Sequence, residues 1–412
     1  MLMHKSHLLD ANGRLLVMLI VFFSAWANFI SIGYWQTPVT FACVNLFLMM
    51  GIDVALRGKL PVSRQDFLLF CYTLMILASV LWAPFPAKIW QYSYWWLLSF
   101  SAYLGVRRYC TSESTFEWFA KVSIAGALVA TSKLHQGVGE WGNKLRYDVS
   151  GENANFVAYV LAGSVLALCV LLTFFSPKKV VWILSSAVIG IIAFAIFKLE
   201  TRGAMISTIG VVAITFFGQL VRGRFAKILA VGCLLLSIAF SVGAIDFLLL
   251  LMDRLSSRET GDLAGRLAIW PIARSVIFEN PVVGIGPGQF QYVNSLGVAA
   301  HNFFLTIPLE TGIIGSILMI SFSVLFYREL SAKIARPHGP RLLLMFCAYW
   351  LPIATSGEWD LTPYSWMMVA FILNVNAYLN KGPRRFEGNP PPPFLTGAKS
   401  GVRWPMQVSA LG

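Results

Sequence analysis

Charge is what this sequence has least of. Asp, Glu, Lys and Arg make up 12% of its 412 residues, against roughly 25% in ordinary soluble domains. That scarcity excludes a soluble globule. Acidic residues are rarer still, 19 against 32 basic, which leaves a net charge of +13. The six cysteines, Cys43, Cys71, Cys110, Cys169, Cys233 and Cys347, lie in or beside apolar runs, and none forms a Cys-x-x-Cys pair. Neither a disulfide framework nor a zinc site is indicated. No Walker phosphate-binding motif is present either, so nothing points to nucleotide hydrolysis.

What fills the chain is apolar sequence. Hydrophobic residues account for 57%, and a helix crossing the hydrocarbon needs about 20 of them in a row. Such runs occur near 15–33, 37–56, 66–83, 88–106, 115–132, 153–175, 180–199, 204–220, 226–250, 302–326, 341–356 and 362–380. They are continuous rather than alternating, which favours helices over a barrel. The expected fold is an all-α polytopic membrane protein of about twelve transmembrane helices. The first run is read as an uncleaved span. Basic clusters such as Arg107/Arg108, Lys178/Lys179, Arg222/Arg224 and Arg384/Arg385 fall on one side of that arrangement. The positive-inside rule then puts both termini in the cytoplasm and accounts for the net charge without nucleic acid.

The organisation follows. Residues 1–250 hold nine spans with short connections, apart from a polar outside loop at 133–152. Residues 251–300 form the largest outside segment, 301–380 hold the last three spans, and 381–412 form a basic, Pro-rich inside tail. The large loop reads as structured. "DLAGRLAIWPIARSVIFENP" has helical spacing, with Asp262 as a plausible N-cap and Pro271 as a point of disturbance. "NPVVGIGPGQF" follows, in which Gly284, Gly286 and Gly288 either let backbone approach a ligand closely or simply make a sharp loop.

A few polar residues need explaining. Arg202, in "KLETRGAMIS", is either a phosphate ligand at the outer face or an interfacial arginine that snorkels or pairs with Glu200. Arg266, Trp270 and Arg274 are four apart and share one side of the loop helix. They are a ligand-binding row or a solvated face, with Asp262 pairing to Arg266. Arg254 and Arg258 carry less weight. From position 202 to the end of the large loop every outside cation is arginine, the residue whose planar fork matches phosphate. In "GVAAHNFFLTIPLETGIIG", His301 opens a span at the outer boundary and Asn302 is a candidate helix cap. Histidine exchanges a proton near neutral pH, but an interfacial histidine bonded to a backbone carbonyl is common. Glu310 lies about 13 Å deeper along that helix, too deep to orient His301, and is expected to make a structural bond or to be protonated. Glu152 and Asn153, and the pair Glu358 and Asp360, supply too few ligands to argue a metal.

In order, "TRG" after a span, "GR…W…NPVVGIGPGQF" and "HNFFLTIPLETGIIG" resemble the O-antigen ligase and polymerase superfamily of bacterial surface-polysaccharide assembly. The likeness is detailed from about residue 198 to 316. It implies an inner-membrane glycosyltransferase with a periplasmic active site, acting without metal or other cofactor. The donor would be a glycan on undecaprenyl diphosphate, and the acceptor a sugar hydroxyl of lipid A–core. It further implies that Arg202 and Arg266 hold the diphosphate and that His301 activates the acceptor hydroxyl. Arg274, Trp270 and Asn302 would add substrate contacts. The compact outside loop and modest length favour a ligase over a polymerase of shared chemistry. A lipid-linked-sugar transporter is the rival of another class, but polar groups along a translocation path are sparse.

Overall fold

A computed structural model describes residues 2–26, 37–57, 62–138, 145–149, 154–175, 178–220, 266–331, 338–357 and 362–381. Its helices are α1 (Leu2–Phe23), α2 (Pro38–Arg57), α3 (Arg64–Ala78, extended by a tighter turn Ser79–Leu81), α4 (Pro86–Tyr109), α5 (Glu113–Ser132), α6 (Ala154–Phe174), α7 (Lys179–Lys198) and α8 (Arg202–Leu220). Then come α9 (Arg266–Glu279), the single turn α10 (Phe290–Val293), α11 (Phe303–Ser331), α12 (His338–Ala354) and α13 (Pro363–Lys381). Five of the described helices are long and apolar enough to cross a membrane: Pro38–Arg57, Arg64–Leu81, Ala154–Phe174, Val180–Lys198 and Phe303–Ser331. The chain is a multi-pass membrane protein. The expected span at 226–250, the Asp262 cap, Arg254, Arg258, the residues Glu152, Asn153, Glu358 and Asp360, and the tail from 382 lie outside the described residues.

The architecture is all-helical, as expected, with one addition: part of the segment read as a polar loop pairs as an antiparallel hairpin, β1 (Leu134–Val138) with β2 (Leu145–Val149), Gln136 paired with Tyr147. Two span boundaries are corrected. The first helix runs from Leu2 to Phe23 and is followed by a turn at Ser24–Trp26, so it starts well before the span drawn at 15–33 and stops within it. The span drawn at 302–326 runs to Ser331 and is broken at Gly312.

The core is built around α6 and α13. The apolar stretch of α6 is 83% buried, against 39–44% for the other four apolar helices. Small residues on α6, among them Ala158, Ala162, Gly163 and Ala167, let its neighbours approach closely. A hydroxyl cluster fastens three helices where apolar packing alone gives no register: the Ser123 hydroxyl lies 2.7 Å from that of Ser164 and 2.5 Å from that of Tyr364.

At one end of the bundle, the basic end, arginines are clasped by acids, of which Asp53 and Asp66 are buried, and by an amide. Asp53 meets Arg57 at 2.5 Å and Arg108 at 2.9 Å, and Asp10 meets Arg57 at 2.9 Å. Asp66 caps α3 through Ser63, accepts the Tyr103 hydroxyl at 2.8 Å and lies 3.5 Å from Arg107. Arg107 also donates to the Asn374 side chain at 2.7 Å, and the Asn374 amide donates to the Val106 and Cys110 carbonyls, both at 2.8 Å. These bonds join α1, α2, α3, α4 and α13 at one level.

Candidate functional site

The opposite end carries the residues singled out from the sequence. Its framework is a repair of the break in α11. Gly312 has φ 59° and ψ −157°, which removes the helical bonds from Ile313 N to Leu309 O and from Ile314 N to Glu310 O. The segment after α9 replaces them group for group. Ile285 N donates to Leu309 O at 3.0 Å and Gly286 N to Glu310 O at 2.9 Å, while Ile313 N donates to Pro281 O at 2.8 Å and Ile314 N to Val282 O at 3.3 Å. Backbone groups at membrane depth must be satisfied inside the protein, so "PVVGIG" and "PLETG" are two halves of one device.

Glycine is required on both sides of this crossing. A Cβ on Gly284 would strike the backbone of Glu310, and one on Gly312 would strike Val282. The close approach that Gly284, Gly286 and Gly288 permit is therefore to the protein itself. Glu310 adds a side-chain tie: its carboxylate accepts the Gly288 N–H at 2.8 Å. That is the structural bond expected for it. Gln289, fully buried, accepts the Phe85 N–H at 2.8 Å through its side chain and so pins the loop to the start of α4.

This frame sets the approach to His301. Helix α9 packs against the first half of α11 through Ile269, Ala273, Ile285, Phe290, Ala300 and Leu309. The indole N–H of half-buried Trp270 donates to Ala300 O at 3.2 Å, one residue before His301. Asn302 caps α11: its side-chain oxygen accepts from Phe304 N at 3.0 Å, and its carbonyl from Thr306 N at 2.8 Å. Between these two fastenings His301 is exposed and left-handed, with φ 50°. Among the described residues the only other non-glycine with positive φ is Glu200, φ 53°, two residues before Arg202. Such conformations persist only where surrounding contacts impose them, and they gather at functional sites.

Arg202 opens α8 at the same end. Thr201 beside it is buried and bonds to Asn155 at 3.1 Å. Gly203 packs against Pro352 and Ser356 at the end of α12, while Phe303 and Phe304 stack their edges on Trp350 of α12 at 5.7 and 5.6 Å. The end of α12 thus lies between the Arg202 turn and the His301 turn. Arg202 is exposed, and among the described residues no carboxylate pairs with it. Arg274 is also exposed, one turn past Trp270, with its guanidinium 5.5 Å from the Phe278 ring. Arg266 opens α9, one turn before Trp270; its side chain lies outside the described residues.

The structure therefore brings Trp270, His301 and Asn302 into one fastened turn, with Arg274 on the adjoining face of α9. It makes Trp270 and Asn302 structural first, because the indole N–H and the amide oxygen are already engaged. Reading the sequence missed Gln289 and the role of Gly312. The only signal for them was the density of Gly and Pro in two segments some 25 residues apart.

A family model described as O-antigen ligase matches residues 187–320, a segment that includes all six candidate residues. This match supports membership of the O-antigen ligase superfamily. No curated protein and no solved structure matches the chain. Members of the superfamily are glycosyltransferase-like enzymes, ligases or polymerases. The O-antigen ligase match begins within α7 and ends within α11, so it spans the left-handed turns at Glu200 and His301 and the repaired break.

Proposed function

We propose that this chain is an O-antigen ligase. It moves O-antigen polysaccharide from undecaprenyl diphosphate to a sugar hydroxyl of lipid A–core at the periplasmic face of the inner membrane, without a metal. Diphosphate is a good leaving group and needs no acid to protonate it. Arg202 and Arg266 bind it and offset the charge that develops as the glycosidic bond breaks, where a low-dielectric lip makes such donors count most. The acceptor hydroxyl is a poor nucleophile, and His301 takes its proton as it attacks. Attack opposite the diphosphate inverts the anomeric carbon. Arg274, Trp270 and the Asn302 amide nitrogen border the glycan.

The observation that carries this reading is the His301 turn. An exposed imidazole is held left-handed between the Trp270–Ala300 bond and the Asn302 cap, at the end of the bundle where Arg202 stands exposed. The test is the lipopolysaccharide and lipid-linked glycan profile of a cell lacking the protein. Bare lipid A–core, with long polymer accumulating on undecaprenyl diphosphate, supports the ligase. Core carrying a single repeat unit makes the chain a polymerase and overturns the acceptor assignment.

A further inference from the structure

The basic end holds a feature that the proposed transfer does not use. A groove of about 770 Å³ runs between α3 and α11, lined by Val62, Ser63, Phe67, Leu68, Ile320 and Val324, with Arg64 at its mouth. Both walls belong to helices apolar and long enough to cross a membrane. Phe67 is 57% exposed and Ile320 62%, so these walls face outward rather than into the bundle.

Each of the two helices carries an exposed arginine toward this end. Arg64 is the first residue of α3, and Arg328 stands one turn beyond Val324 on α11. The Gln65 amide donates to the Glu329 carboxylate at 2.5 Å, which ties the residue after Arg64 to the residue after Arg328. Both arginines are exposed, and among the described residues neither has a carboxylate partner. The nearby acids are committed elsewhere: Glu329 to Gln65, and Asp66 to Ser63, Tyr103 and Arg107.

The geometry points to a bound anionic phospholipid, with its phosphate between Arg64 and Arg328 and one acyl chain along Phe67, Leu68, Ile320 and Val324. Guanidinium forks match a phosphodiester in shape and charge, and a mostly apolar trough within lipid-crossing helices suits an acyl chain. The occupant is a phospholipid rather than the glycan-bearing lipid, because the groove opens at the end of α11 opposite His301. Basic residues at this level also meet the leaflet richest in anionic headgroups, given the orientation read from the loops.

The full-length purified protein in detergent tests this by native mass spectrometry with added phosphatidylglycerol or phosphatidylcholine of matched chains. One retained phosphatidylglycerol per chain is expected, in clear preference to phosphatidylcholine. Arg64→Gln with Arg328→Gln should reduce its retention about tenfold or more. Val324→Trp, which fills the trough and leaves the charges alone, should reduce it as well. Each variant should elute as wild type and keep its transfer activity. Equal retention of the two lipids, or phosphatidylglycerol retention unchanged in both variants, would overturn the site. So would displacement of phosphatidylglycerol by undecaprenyl phosphate at equal concentration.

Discussion

The clasped arginines of the basic end and the exposed ones of the His301 end are held in opposite ways. At the basic end Arg57, Arg107 and Arg108 are answered by Asp10, Asp53, Asp66 and Asn374 at 2.5–3.5 Å. At the His301 end Arg202 and Arg274 stand exposed, and among the described residues no carboxylate meets them. A cation near low dielectric is costly unless paired. Clasped arginines belong to the fold. Unclasped ones beside the left-handed turns are, under the proposed function, the groups that meet the diphosphate. Within the basic end itself the same contrast recurs, with Arg57, Arg107 and Arg108 clasped and Arg64 and Arg328 exposed at the rim.

Substitutions can break that contrast. The largest effect is expected at the His301 end. His301→Ala or Arg266→Ala should lower transfer by about 100-fold or more, measured with purified protein and lipid-linked glycan, while elution and thermal stability stay near wild type. At the basic end the signature should reverse. Asp66→Ala strands Arg107 and Tyr103 and is expected to cost about 3–5 kcal/mol of stability, seen as a lowered Tm, with transfer per folded molecule unchanged. Wild-type stability in that variant would erase the contrast.

Arg202→Lys keeps the charge and loses the fork, so kcat/KM should fall by about tenfold or more; an unchanged value would mean that charge alone suffices. Gly312→Ala tests the frame beneath the site. Its positive φ and the collision with Val282 are expected to cost about 1–3 kcal/mol, with faster hydrogen exchange at Ile285 and Gly286. The smallest effect is expected from Trp270→Phe, which removes one bond to Ala300 O. That is worth about 1 kcal/mol, or roughly fivefold in rate if it falls wholly on the His301 turn.

Much of the fold was legible because membrane helices announce themselves by long apolar runs. Helices occupy the positions of the runs near 37–56, 88–106, 153–175 and 362–380 with ends displaced by a few residues. The first helix was misread at its start because hydropathy marks where a helix is apolar, not where it begins. The hairpin at 134–149 was missed because two five-residue strands of mixed polarity carry little periodic signal. Within the site, His301 and Asn302 stood out because polar groups at the head of an apolar run are unusual. The pairing of Pro281–Gly286 with Leu309–Ile314 was not legible. Nothing local in a glycine within a helical run says that the chain breaks there, and nothing in a Gly-rich loop names its distant partner.

The break at Gly312 also changes what His301 is mechanically attached to. On the sequence it tips a membrane helix of nearly thirty residues. In the folded chain the piece from Phe303 to Thr311 shares its hydrogen bonds with the loop that follows α9 and meets the remainder of α11 across a single non-helical joint. His301 is therefore fastened to the segment that packs with α9 rather than to the deeper half of α11. A strain applied to the loop after α9 would reach the imidazole before it reached the half of α11 beyond Gly312.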